Sequence, residues 1–346
     1  MKKKSGTVKT FGIMVANSKQ RKYVLSKYLA CKADHMRLFC FTPSEIDWKR
    51  KSILGLHHSN WKWVQHRFPF PEVIYNRCYN TKKTTHQRLK TLIGSNKCFN
   101  QQNRFDKYEI YKLLSQTLAP YLPETAPYDR ETAAQLQKTH KVLYVKPCNG
   151  HQGKGVYRVE AKESGEIHIS QHYFLPEFIA ADVPESQKKL NKLLGSTHYL
   201  IQQGVELQQW NEQVFDIRAL VQKDESGGWS VTNVVSRIAH KGCFNTSICA
   251  QVCLSEEVLR HLYPQEKADA FLQTIRDISL RAAQTVESGT GLHLGELSVD
   301  FALDNGERLW IIEVNGKPQK EIYDQISGQD EVYKRPLQYA AYLHTH

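Results

Sequence analysis

Trp310-Ile311-Ile312-Glu313-Val314-Asn315-Gly316-Lys317-Pro318 decides how this 346-residue chain is read. The apolar run predicts a strand over residues 308–314. Asn315 lies two residues beyond Glu313, so the two share a face. Just upstream, Gly295-Glu296-Leu297-Ser298-Val299-Asp300 begins a second strand, predicted over residues 294–303. There Ser298, Asp300 and Ala302 alternate with Val299, Phe301 and Leu303, so Asp300 points away from its apolar neighbours. Asp304-Asn305-Gly306 between the two runs is a hairpin signal that brings the strands side by side. Asp300, Glu313 and Asn315 then offer three oxygen donors on adjacent strands. That set suits magnesium, which takes hard oxygen ligands and completes its shell with water and phosphate. Two carboxylates buried side by side without a cation would be costly. The alternative is an exposed sheet face carrying solvated acids.

Working outward, Phe215-Asp216-Ile217-Arg218 sits in a strand predicted over residues 214–221, with Asp216 and Arg218 on one face. Arg218, joined by Arg237 from the strand predicted over residues 229–239, presents a rigid fork suited to phosphate or carboxylate. A structural Asp–Arg pair is the alternative. Farther upstream a strand over residues 142–147 runs into Lys146-Pro147-Cys148-Asn149-Gly150-His151-Gln152-Gly153-Lys154-Gly155, and another strand is expected near residues 156–159. Glycines let backbone N–H groups approach phosphate oxygens. The segment is not a Walker loop, because Gly155 stands where Ser or Thr would hold magnesium, and it is not GxGxxG. It reads as a Gly-rich flap over phosphates, or else as an ordinary hairpin with a flexible tip.

The front half alternates strand and helix. Strands are expected at residues 11–15, 37–41 and 73–75, and a helix at 22–33 on the spacing of Val24, Leu25, Tyr28 and Leu29. That is a βαβ pattern with a parallel sheet. Helices are also expected near residues 106–114 and 266–286, and a strand at 199–203.

These pieces, in this order, resemble the ATP-grasp superfamily, and more closely the YheC/YheD family of ATP-grasp proteins, described as spore-coat-associated in endospore-forming bacteria. The resemblance covers about residues 70–330. It rests on Val73-Ile74-Tyr75-Asn76-Arg77, Asp106-Lys107, Tyr144-Val145-Lys146-Pro147 with its glycine loop, Gln202-Gln203-Gly204-Val205, Phe215-Asp216-Ile217-Arg218 and the two closing strands. It implies an α/β (α+β grasp) fold: a basic N-terminal βαβ pre-ATP-grasp domain over residues 1–100, then an ATP-grasp domain over 101–346. The latter would comprise a lid-bearing subdomain at about 120–204 and a metal-binding subdomain at about 205–346.

The resemblance also implies roles. Lys107 and Lys146 would contact ATP phosphates. Asn149, Gly150, Gly153, Lys154 and Gly155 would cover them. Gln202, Gln203, Gly204 and Val205 would read adenine through the backbone, with Glu206 at the ribose. Arg218 and Arg237 would hold the γ-phosphate or the acceptor carboxylate. Asp300, Glu313 and Asn315 would bind one or two Mg2+ ions, or Mn2+. The implied reaction is ATP-dependent ligation of a carboxylate to an amine or thiol through an acyl phosphate. The alternative is an ATP-binding structural or assembly protein of the spore coat. One departure concerns turnover more than ATP binding. After Arg237 the family pattern has Asn followed by Gly-Gly. Here Gly242-Cys243-Phe244-Asn245-Thr246-Ser247 supplies Asn245 in the catalytic position but no double glycine.

Charge and composition bound the rest. Lys and Arg number 47 against 35 Asp and Glu, a net charge of +12. Residues 1–112 carry +18 and residues 113–346 carry −6. Such an excess suggests an anionic partner. No helix-turn-helix, zinc-finger or RRM signature accompanies it, so nucleic acid is not the expected partner. Trp48, Trp61 and Trp63 are read as core or domain-interface residues. The basic front is expected to face an acidic acceptor or an acidic spore-layer protein. No run of 18 apolar residues occurs, so no membrane span is expected. The eight cysteines lack a CxxC pair. Cys243, Cys249 and Cys253 have no matching second pair for zinc, and reduced thiols in a cytoplasmic or spore-associated protein are expected.

Overall fold

The computed structural model describes residues 9–150 and 152–346. Three sheets stand in chain order. In the front sheet the strand Lys9–Met14 lies parallel to both Met36–Phe41 and Val73–Asn76, which itself pairs in parallel with Cys98–Phe99. The helix Gln20–Leu29 joins the first two strands, burying Leu25 and Tyr28. These are the βαβ elements read from the sequence. The chain runs from the central strand to one neighbour, then back to the other side, so residues 14–15 and 76–77 meet where strand order reverses. That is the position at which α/β sheets bind ligands.

A long antiparallel hairpin, Ser52–Ser59 with Lys62–Pro69, extends the front sheet and was not foreseen. Its outer strand is mostly exposed and alternates charged, aromatic and histidine residues, so it carries no strong apolar period. The hairpin corrects the reading of the tryptophans. Trp61 sits at its tip, 94% exposed, with φ +63°. A tip residue has no sheet face to bury against. Trp63 does pack against the front core, and Trp48 lies under the Arg88 guanidinium, 4.1 Å from the ring centroid.

The second sheet is antiparallel throughout, in the order 178–180, 167–170, 157–161, 142–147, 199–203, 125–127. The helices Arg130–Thr139 and Val183–Leu194 pack on it through Leu136, Leu190 and Leu194. The third sheet, in the order 249–254, 229–239, 213–223, 296–303, 309–315, is also antiparallel. Its apolar face, with Ile217, Ala219, Val299 and Phe301, is covered by the helices Lys107–Leu118 and Gln265–Thr290. The opposite face is divided. Leu220 and Val235 pack with the front sheet and the C-terminal helix Gln329–Thr345. Asp216, Arg218, Arg237 and Asp300 occupy its other end and line a cavity. The period-2 alternation of one strand thus serves a core on one side and a polar site on the other.

Candidate active site

A cavity of about 730 Å3 opens between the three sheets. One end is built by the second sheet and its loop. Lys146 is near the end of Val142–Pro147, and its Nζ donates to Gln202 Oε1 at 2.5 Å; Gln202 Nε2 in turn donates to Thr125 Oγ1. Burial depresses the Lys146 pKa to about 8. Glu313 opposes that shift and Lys107 adds to it. Lys107 is placed by a helix cap. Asp106 accepts from the amides of Tyr108 and Glu109 at the start of Lys107–Leu118, satisfying N-terminal donors. From the first turn Lys107 Nζ reaches the Gly150 carbonyl at 2.9 Å and Glu313 Oε1 at 3.0 Å.

The glycine segment is a tight turn between two antiparallel strands, Val142–Pro147 and Tyr157–Ala161. Gly153 and Gly155 have φ of +66° and +72°, conformations that favour glycine. A Cβ on Gly153 would stand 2.0 Å from Asn245 Nδ2, so the flap rests directly on the loop after Arg237. A second contact closes the same seam. The Phe174 amide donates to the Gly242 carbonyl, the Phe244 amide to the His172 carbonyl, and the Phe244 ring lies between Tyr144 and Phe174.

At the other end lies a buried charge cluster. Asp300 and Glu313 are direct partners across the strands Glu296–Leu303 and Leu309–Asn315, as the hairpin reading expected. The Asp300 carboxylate accepts a bidentate pair from Arg218, at 2.7 and 2.6 Å, and a further bond from Arg237 at 3.1 Å. Arg237 is itself forked onto Asp216, which also accepts from Thr246 Oγ1. Burial works against an ionised Asp300, but Arg218 and Arg237 outweigh it and hold its pKa below the ordinary carboxylate value. Asn315 Nδ2 stands 3.3 Å from Asp300 Oδ2.

The residues expected for the site do not all reach it. Lys107, Lys146, Gly150, Gly153, Lys154, Gln202, Gln203, Val205, Arg218, Arg237, Asn245, Asp300, Glu313 and Asn315 line the cavity. Asn149 is exposed and instead donates to Asp106 Oδ2, bracing the cap that presents Lys107. Gly155 shapes the flap behind the lining. The Gly204 amide is committed to the Val142 carbonyl and the Gln203 amide to the Glu124 carbonyl. Glu206 is exposed and outside the lining, its carbonyl accepting from the Asn305 amide. Asn245 is held at both ends, by the Ser247 amide and by His172 Nδ1. Arg77, Tyr79, Thr246 and Lys317 line the cavity without having been singled out, although Arg77 and Lys317 stood inside quoted motifs. The position directly after a buried strand was the signal available for Arg77.

The donor set fits a hard cation in kind. Asp300 and Glu313 face each other across the strands with Asn315 beside Asp300, but Arg218 and Arg237 bond the Asp300 oxygens, Lys107 pairs with Glu313, and Asn315 turns its Nδ2 toward Asp300, so a cation would have to displace these partners. No group of three His, Cys, Asp or Glu side chains able to hold a metal occurs among the described residues, so phosphate and water would have to complete the shell.

A family model described as YheC/D-like ATP-grasp matches residues 95–343. The chain belongs to the YheC/D-like ATP-grasp family. Among relatives of this family, the Endospore coat-associated protein YheD of Bacillus subtilis is 27% identical over 326 residues, covering 88% of this chain and 70% of that protein. The Endospore coat-associated protein YheC of the same organism is 24% identical over 356 aligned positions, covering 96% of each. Solved structures share the fold at low identity. D-alanyl-alanine synthetase A from Vibrio cholerae aligns with a TM-score of 0.57 at 12% identity, covering 99% of this chain and 100% of that one. N5-carboxyaminoimidazole synthetase from Staphylococcus aureus, solved with ADP, gives 0.53 at 12% identity over 96% and 77%. The ATP-grasp assignment and the α+β architecture read from the sequence therefore hold. No described helix is long and apolar enough to cross a membrane.

Proposed function

We propose that this protein is an ATP- and divalent-cation-dependent carboxylate–amine or carboxylate–thiol ligase. One observation carries the reading: a single cavity gathers the lysines and glycine flap at one end and the Asp300–Glu313 pair at the other, with Arg218 and Arg237 beside it. Lys107 and Lys146 would hold the nucleotide phosphates, and Gly150–Lys154 would cover them. Val205 lines the cavity beside Gln203 and Gly204, whose amides are spent on the sheet, and would offer its backbone to adenine. Asp300, Glu313 and Asn315 would hold Mg2+, which when bound offsets charge on the transferring phosphoryl group.

In the proposed reaction an oxygen of the acceptor carboxylate attacks the γ-phosphorus and the γ-phosphorus–oxygen bond to ADP breaks. An amine or thiol then attacks the carbonyl carbon of the acyl phosphate, its bond to the phosphate oxygen breaks, and inorganic phosphate leaves. Arg218 and Arg237 fix the positions of Asp300 and Asp216 and supply positive field to that end. The flap and the 172–174 contact exclude water from the acyl phosphate. Hydroxylamine tests the reading, because it traps acyl phosphates as hydroxamates. Hydroxamate and ADP should form together, dependent on Mg2+ and a carboxylic acid. ADP formation that no acid stimulates would sink the ligase reading.

A second reading rests on Asn245. With both ends of its amide engaged and no double glycine beside it, the loop suits an ATP-binding structural or assembly protein that does not ligate. In that case ATP analogue binds and hydroxamate never forms. The names of two relatives, both endospore coat-associated proteins, support a setting in spore formation and a coat protein as partner for either activity.

A further inference from the structure

The cavity extends past the charge cluster to the front sheet, where the proposed chemistry leaves two cations unused. Arg77 follows the strand Val73–Asn76 and lines the cavity, as does Lys317 after Leu309–Asn315. Val15, Gln20, Tyr23 and Tyr79 lie on the same wall. Arg77 is 8% exposed; its Nη1 donates to the Tyr28 hydroxyl at 2.7 Å and its guanidinium lies about 6 Å from the Tyr28 and Tyr75 ring centroids. Lys317 has no hydrogen bond or ion pair among the described residues. Neither cation has a carboxylate within 4.0 Å there. A buried cation without a counter-ion is costly.

Tyr28, Tyr75, Glu296 and Glu321 favour the charged form of Arg77 against burial, but no carboxylate among the described residues bonds either cation. Glu296 is 1% exposed and spent on Lys320, Gln222 and Tyr75. Asp324 is engaged by Lys27 and Tyr333. Glu321 lines the rim of the cavity but is exposed to solvent. The same buried network fixes the guanidinium. Lys320 bonds the Tyr28 hydroxyl that also receives Arg77, and Tyr75, two residues before Arg77 on the strand that leads into it, bonds Glu296. Arg77 is therefore a preorganised donor rather than a mobile surface side chain. Arg77 stands where the front sheet reverses strand order, and Lys317 lines the same cavity from the third sheet.

We infer that the acceptor carries a second carboxylate, bound by Arg77 and Lys317, in addition to the carboxylate that is activated. The substrate class is a dicarboxylate, such as an acidic amino acid or a peptide ending in one. This rests on the ligase reading for the first carboxylate but not for the second, whose binding requires no turnover. Charge-assisted contacts of this kind change affinity by about 10- to 100-fold each.

The test uses the full chain with Mg2+ and ADP. Calorimetric titration with L-glutamate, glutarate and γ-L-glutamyl-L-glutamate is compared with the corresponding monoamides. At least one diacid is expected to bind about 10-fold or more tightly than its amide. Lys317→Gln, outside the buried network, is expected to abolish that preference while leaving ADP affinity within about twofold. Arg77→Gln should do the same if it folds; Arg77→Lys should restore part of the binding. Diacid binding that Lys317→Gln weakens supports the subsite even if hydroxamate never forms, in which case only the ligase reading falls. No diacid binding, equal binding of acid and amide, or Lys317→Gln acting on ADP alone overturns the subsite while leaving ligation of a monocarboxylate open.

Discussion

Replacing Asp300 by Ala separates two jobs that one carboxylate does. Its side chain is 6% exposed and faces Arg218, 8% exposed, through two short charge-assisted bonds. It also receives Arg237. Truncation leaves the Arg218 guanidinium buried without its counter-ion, which costs about 3–5 kcal/mol. The Glu313 case is different. Its side chain is 28% exposed, and its partner Lys107 retains the Gly150 carbonyl. Glu313→Gln should therefore cost about 1 kcal/mol or less. Both variants should weaken Mg-nucleotide binding, but Glu313→Gln should do so in a protein of near-normal stability. Urea unfolding followed by tryptophan fluorescence, with calorimetric titration of Mg-ADP, reads both quantities. An Asp300→Ala protein within about 1 kcal/mol of the parent would refute the buried-pair reasoning, since that pair is the whole source of the difference.

Other consequences follow from single contacts. Lys146 has a folded-state pKa near 8 against an unfolded value of 10.5, so burying its charge weakens the fold fully below pH 8 and the cost is relieved as pH rises to 10.5. Phosphates favour the ammonium form, so nucleotide affinity should fall above pH 8, by up to about tenfold per unit, and Lys146→Arg should flatten that fall. Gly153→Ala places a Cβ against Asn245 at φ +66°; KM for ATP should rise severalfold, and Asn245→Ala should reverse part of the rise in a double-mutant cycle. Phe244→Ala removes the ring between Tyr144 and Phe174 and should raise proteolysis of the 149–155 flap, measured by limited digestion with and without Mg-ADP. Trp61→Ser should leave stability within about 0.5 kcal/mol, because the ring touches no core.

Alternation made much of the third sheet legible. Asp216, Arg218 and Asp300 could be placed on one face because their neighbours Phe215, Ile217, Val299 and Phe301 are apolar, and the Asp304–Gly306 turn fixed the pairing of the last two strands. Their mutual satisfaction was not legible. Period 2 says which residues share a face, but not that Arg218 lies across from Asp300 on the next strand and forks onto it. The 52–69 hairpin was missed because its exposed strand has no apolar period, and Trp61 was misplaced with it. Asn149 was read as a phosphate contact from its place in the glycine loop, yet its amide braces Asp106, a partner 43 residues earlier. Arg77 and Lys317 were visible only as motif letters. Their shared cavity exists only once the C-terminal segment returns to pack on the front sheet, burying Tyr323, Val332 and Leu337 beside Tyr28 and Tyr75.

The central claim is that a carboxylate oxygen of the acceptor attacks ATP. Oxygen tracing tests it most directly. The protein is incubated with Mg-ATP, hydroxylamine and L-glutamate or γ-L-glutamyl-L-glutamate whose carboxylates carry oxygen-18, and the released phosphate is analysed by mass. Ligation through an acyl phosphate predicts one oxygen-18 atom in each phosphate released with hydroxamate. Phosphate released together with hydroxamate but carrying only the oxygens of ATP and water would contradict the account.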